Sequence, residues 1–195
     1  MQSRARLNHQ PAPDAPCYTQ PGAQAAGSSN LASGSTMADS VGRYVADYNT
    51  ASLGHRRWVL NPGMRETAFG VHGRGSCMYC FSNGNRHELD YVTWPPAGYI
   101  PTAALGGAYS ISNYRLRRNG DVSVEVSLNG APFQEVELSA LPPGYGGDSG
   151  SWSFRVPNGS GQDRAELAIR VRGLGDDMIE YTVAPIDCDR VLADE

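Results

Sequence analysis

The sequence predicts an α+β protein, with helix and strand mixed in its first half and only strands in its second. Three observations carry this reading. Glycine reaches 23 residues and proline 13, a turn-rich balance. Met37, Val41, Tyr44, Val45 and Tyr48 recur at helical spacing and form one apolar stripe. After Pro101 the apolar residues alternate instead, as they do on strands with one buried face. A chain of 195 residues that is 40% apolar can build one large core or two small ones.

Residues 1–35 are polar and carry prolines at 11, 13, 16 and 21, so they read as loop with at most short helical pieces. Thr36, with Asp39 three positions on, is a plausible N-cap for the striped helix. "ASLG" breaks that helix, and "HRRWVLN" fits a second, short one stopped by Pro62. "TAFGVHG" and "CMYCFS" read as two strands, the second ending at the turn-like "SNGN". "TWPPAGYIP", Thr93 to Pro101, is a stiff connector and marks a domain boundary, giving domains 1–101 and 102–195. Beyond it, Val122, Val124, Val126 and Leu128 precede the hairpin signal Asn129-Gly130. Trp152, Phe154 and Val156 alternate again, as do Leu167, Ile169 and Val171, and then Ile179, Tyr181 and Val183. This is the pattern of a β-sandwich of Ig-like or fibronectin-like size.

The net charge is -4 and no basic run occurs, which argues against nucleic acid as a partner. Every basic residue is arginine, which reads as coding bias rather than chemistry. No apolar run approaches the roughly 20 residues that span a bilayer. The first residues lack the apolar core of a signal peptide, yet four cysteines suggest an exported protein. Which of them pair is left open by the sequence.

Several segments invite a chemical reading. His72, Cys77, Cys80 and His87 have the residue types of a zinc site. Cys77 and Cys80 fall within a strand, however, and the histidine spacing is wrong, so a buried and an exposed thiol or a local disulfide is the simpler reading. "GGDSGSW" resembles the surroundings of a protease serine, but no partner histidine segment accompanies it. It reads as a turn opening the Trp152 strand. Arg56 and Arg57 have the chemistry to grip an anion, although adjacent arginines on a short helix more often form surface ion pairs. His55 starts that helix and is either a local backbone cap or a working imidazole.

Taken together, "LNH", "AGSSNLA", the helix ending in "YVADYN" and "GHRRWVLNP" occur in an order that resembles the CAP superfamily of cysteine-rich secretory, antigen 5 and pathogenesis-related proteins. "WPPAGYIP" and "GYGGDSGSW" resemble its secreted bacterial members, which carry a β-rich second domain. The resemblance implies a CAP-like α-β-α sandwich, here without its usual first helix, followed by an Ig-like or fibronectin-like sandwich. It also implies a cavity in which His9 and His55 bind a divalent metal such as zinc, beside two acidic positions. The first of these falls at Ser29, where a hydroxyl replaces the carboxylate and weakens metal binding. The second falls at Asp47, which suits a carboxylate orienting a metal-bound histidine.

The leading expectation is therefore a secreted or cell-envelope bacterial protein that binds a small molecule, lipid, peptide, glycan or metal in a cavity lined by His9, Ser29, Asp47 and His55. Trp58 and Leu60 are expected to anchor the core beside it. A missing helix would bare apolar sheet surface and favour a homodimer. The alternatives are a zinc hydrolase or peptidase in which Asp47 activates water, and a purely structural envelope or matrix protein.

Overall fold

The computed structural model describes residues 7–34, 36–48, 50–82, 89–157 and 165–188. Helix α1 spans Gln20–Gly27, strand β1 Ser29–Ser33, helix α2 Met37–Ala46 and helix α3 Gly54–Val59. Strands β2 (Phe69–His72) and β3 (Gly75–Tyr79) join β1 in an antiparallel sheet of order β1-β3-β2. Thr19 caps α1 by accepting the Gly22 N–H, and Pro21 sits in the first turn, where no amide donor is needed. Thr36 caps α2 as its sequence suggests, accepting the Asp39 N–H at 3.2 Å and donating to its carboxylate at 2.6 Å. Asp47 ends α2 in the left-handed conformation, φ 47°, so Tyr48 leaves the helix and lies exposed instead of extending the stripe. Tyr44, Met78 and Cys80 form a small core between α2 and this sheet, with Val41, Trp58 and Val59 packed around it.

Nine further strands build two larger sheets: β4 (Tyr91–Trp94), β5 (Gly98–Pro101), β6 (Tyr109–Asn113), β7 (Arg118–Leu128), β8 (Gln134–Val136), β9 (Leu138–Ala140), β10 (Gly150–Phe154), β11 (Leu167–Leu174) and β12 (Ile179–Ile186). Their orders are β4-β6-β10-β9 and β5-β12-β11-β7-β8. The alternation read from the sequence decides which side chains turn inward. Val124, Val126, Ile169, Val171 and Val183 of one sheet meet Ile111, Trp152 and Phe154 of the other in a single core. Asn129 and Gly130 form the turn after β7 with φ of 49° and 76°, the left-handed pair that such turns need. Among the described residues no helix is long and apolar enough to cross a membrane.

The expected CAP-like α-β-α sandwich with a separate Ig-like or fibronectin-like domain is not the architecture found. The chain is mostly β, with twelve strands in three sheets and three short α-helices among the described residues. Helices of 8, 10 and 6 residues are too short to build two helical layers. "SNLAS", expected as loop, forms β1 because β3 offers it a full edge. The stretch from Tyr91 to Pro101 supplies β4, which pairs with nearby β6, and β5, which pairs with β12 much later in the chain.

What joins α3 to the larger sheets is polar. Arg56 and Arg57, expected at the surface, are 1% and 2% exposed. They lie on the outer face of the β4-β6-β10-β9 sheet, where small serines alternate with the inward Tyr109, Ile111, Trp152 and Phe154. Ser110, Ser112 and Ser151 of that face are all buried. Arg57 holds Asp148 through two bonds, Nε at 2.8 Å and one terminal nitrogen at 3.0 Å, and donates to the Pro142 carbonyl at 2.7 Å. Ser151 donates to the same carboxylate at 2.7 Å. Among the described residues no carboxylate meets the tip of Arg56; its guanidinium donates to the carbonyls of Val45, Ala46 and Ala108 and to Ser110 Oγ. Val45 and Ala46 end α2, where unpaired carbonyls concentrate negative charge. Burial pushes the Arg56 pKa down to about 10, against the pull of nearby Asp47, so it stays charged at neutral pH.

The loop carrying Asp148 approaches α3 closely enough to demand glycine. At Gly146, φ is 62° and a Cβ would fall 2.2 Å from the Arg57 carbonyl oxygen. The Arg57→Met variant leaves Asp148 buried without its cation and is expected to destabilise the fold by about 3–5 kcal/mol in urea denaturation. The double variant Arg57→Met/Asp148→Leu is expected to recover much of that loss. A loss under about 1 kcal/mol in the single variant, as for a surface pair, would contradict the burial.

Candidate functional site

The candidate site is assembled at the junction of α2 and α3. Leu53 begins α3 with φ of 48° and supplies no side-chain cap. The Asp47 carboxylate fills that role from the end of α2, accepting the N–H of His55 at 3.0 Å and of Arg56 at 3.4 Å. These are amides that a helix start leaves without internal partners, and a carboxylate suits the positive end of the helix. The second carboxylate oxygen lies 2.9 Å from His55 Nδ1. An ionised carboxylate only accepts, so the shared proton sits on Nδ1 and the Nε2 lone pair is left free. The Tyr44 ring, 5.5 Å away centroid to centroid, packs beside the imidazole.

Burial pushes the Asp47 carboxyl upward, but the bonds from His55 and Thr50, the His55 charge and the Arg56 amide outweigh it, leaving the group below the usual carboxylate range. The Asp47 side chain is only 3% exposed, whereas that of His55 is 30% exposed. Asp47 therefore stands behind His55 and braces it. Both of its oxygens are engaged, one by the His55 ring and the other by the amides of His55 and Arg56.

His55 faces a cleft of about 480 Å³ that His9 and Ser29 also line. Three of the four residues singled out in the sequence thus share one cleft, and the fourth supports it from behind. His9 Nδ1 lies 2.8 Å from the Ala26 carbonyl oxygen, an acceptor only, so His9 too carries its proton on Nδ1 and leaves Nε2 free. Ser29 opens β1 and is buried, and its neighbour Asn30 donates its side-chain amide to the His55 carbonyl at 3.0 Å. Trp58 and Phe81 stack with centroids 4.2 Å apart and form an aromatic wall. The opposite contribution comes from the larger sheets: Pro143, Gly144 and Tyr145 also line the cleft. Tyr145 lies over the Arg57 guanidinium at 5.3 Å and so close to Gly54 that a Cβ there would fall 2.6 Å from its ring.

Asn30, Phe81 and Tyr145 were not legible as site residues. Only Tyr145 carried a signal, an aromatic residue in a loop of glycines and prolines. Of the second candidate zinc set, His72, Cys77 and Cys80 are not grouped to share a metal among the described residues, Cys80 is buried with its thiol pKa pushed up by that burial, and His87 lies outside the described residues. Cys17, Cys77, Cys80 and Cys188 are all free thiols. Among the described residues no three His, Cys, Asp or Glu side chains are grouped so as to share a metal ion.

The sign of the Asp47 effect on stability follows from its lowered pKa. Its contribution is complete above the unfolded carboxylate value of about 3.9 and is lost as pH falls through the lower folded value. Asp47→Asn is expected to lower stability by about 1–3 kcal/mol at pH 7, and the gap to wild type should shrink below about pH 4. Urea denaturation across pH 2–7 checks this, and a gap independent of pH would contradict it. Comparison of the chain with protein-family models, with curated proteins and with solved structures finds no match.

Proposed function

We propose that this protein acts by binding, and that the cleft between α3 and the Pro143–Tyr145 loop is its ligand site. The observation that carries the reading is a braced imidazole. Buried Asp47 fixes the ring of His55 in one tautomer and orientation, and the ring lines an open cleft that already contains His9, Ser29 and an aromatic wall. A polar anchor whose geometry is set before a ligand arrives loses little freedom on binding. The cleft volume falls within the roughly 300–1,000 Å³ of small-ligand sites. The order of the motifs resembling the CAP superfamily supports a setting outside the cytoplasm.

A second reading rests on the two free Nε2 atoms. His9 and His55 both present the tautomer that ligates a divalent metal, each with Nδ1 held by an oxygen. The donor set fits in part: two neutral nitrogens would hold zinc, with water or a ligand in the remaining positions, and the hydroxyl at Ser29 adds no charge.

A fragment screen by ligand-observed NMR, with hits mapped on amide spectra, tests the first reading. Hits are expected to shift the amides of Gly27, Asn30, Gly54 and His55 and the Trp58 indole; hits confined to other surfaces would refute it. Zinc titration by calorimetry tests the second, which predicts binding by wild type and at least about tenfold weaker binding by His9→Ala/His55→Ala. Equal affinity in the two proteins would remove the metal reading.

A further inference from the structure

Within the proposed binding reading, on which this step rests, the chemistry of the cleft wall is selective. No Asp, Glu, Lys or Arg side chain lines it among the described residues. A phosphate, a carboxylate or an ammonium group entering the cleft would give up hydration and, among the described residues, meet no carboxylate or guanidinium of opposite charge. Arg57 lies just behind Tyr145, but Asp148 already holds two of its nitrogens.

The cleft is equally unsuited to a wholly apolar guest. Ser29, Asn30, Ser52 and both imidazoles interrupt the aromatic surface. A sterol ring or an acyl chain would cover these groups and leave them without partners, at a penalty for each.

What remains is a ligand that is uncharged, rich in hydroxyl groups and flat on one side. The tilted Trp58–Phe81 pair offers adjoining ring faces, and Phe81 is 43% exposed. A pyranose ring presents C–H groups on its faces, and these pack on the negative face of an aromatic ring. Its rim of hydroxyls needs donors and acceptors together. Serine hydroxyls serve as both, the Asn30 carbonyl oxygen accepts, and the free Nε2 atoms of His9 and His55 accept a hydroxyl proton. The cleft is half open to solvent, so a sugar ring can reach the aromatic wall from outside.

We infer that the cleft binds a neutral oligosaccharide, with one sugar ring stacked on Trp58 and Phe81 and its hydroxyls held by Ser29, His9 and His55. The test uses calorimetry on the full chain with cellotetraose, maltotetraose and chitotetraose, and with tetragalacturonate as an anionic control. At least one neutral tetrasaccharide is expected to bind at a single site with a Kd of about 1 mM or tighter, and tetragalacturonate is expected to bind far more weakly. Phe81→Ala should weaken the bound sugar by about tenfold. Trp58→Ala should do the same, but Trp58 also packs on the small core, so the exposed Phe81 carries the decision. Tyr99→Ala, at an exposed aromatic on β5 outside the cleft, should bind as wild type does. Binding of no neutral tetrasaccharide, equal binding of tetragalacturonate, or an affinity unmoved by Phe81→Ala would overturn the inference. Fragment hits in the cleft alongside failure of every sugar would overturn it alone, whereas loss of both results would take the binding reading with it.

Discussion

The arrangement of this protein depends on one buried ion pair, Arg57 with Asp148. Both side chains are almost wholly removed from water, at 1% and 2% exposure. At that depth desolvation is expensive, and attraction offsets it only when geometry is good and the remaining donors are satisfied. Here the fork is bidentate, Pro142 takes another guanidinium proton, and Ser151 donates to the carboxylate. Such a pair adds little net stability over an apolar contact of the same shape. Its effect is to fix position, because any slip of α3 along the sheet would strand two charges in a dry interface.

That fixed position has consequences in both directions along the chain. On one side, α3 carries His55, whose ring is oriented by Asp47 at the end of α2. On the other, the Asp148 loop carries Pro143, Gly144 and Tyr145 to the cleft. The two walls come from segments about ninety residues apart in sequence, and the ion pair is what brings them together. Arg56 completes the docking by tying the C-terminal carbonyls of α2 to Ala108 and Ser110 of the sheet. The serine face of that sheet makes this possible. Larger residues at Ser110, Ser112 or Ser151 would hold the helix away, and apolar ones would leave the guanidinium groups short of partners.

Local periodicity was the part of the structure that the sequence made legible. Strands from Val122 to Val183 were readable because alternation has a period of two, and the α2 start because Thr36 and Asp39 make a local cap. Placing His9, Ser29 and His55 together was legible through motif order, as was Asp47 as the brace of His55. The surroundings of Arg56 and Arg57 were not, since the partner of Arg57 lies far along the chain in a segment that resembled a protease motif. Ser110, Ser112 and Ser151 alternate with inward apolar residues, yet they are buried against the polar partners that α3 and the Asp148 loop bring. His9, Ser29 and His55 line one cleft, while the α-β-α architecture expected with them did not form. Motifs fix neighbourhoods of a few residues, whereas helical layers need helices longer than these segments form.

Arg57 is sequestered with Asp148 between α3 and the larger sheets. Hydrogen exchange of the Arg57 Nε–H, followed by ¹H–¹⁵N NMR near neutral pH, tests it most directly. A resolved signal is expected that exchanges slowly and shows a nuclear Overhauser contact to the protons of the Pro142–Asp148 loop. A signal that exchanges as fast as those of exposed arginines such as Arg115 would contradict it.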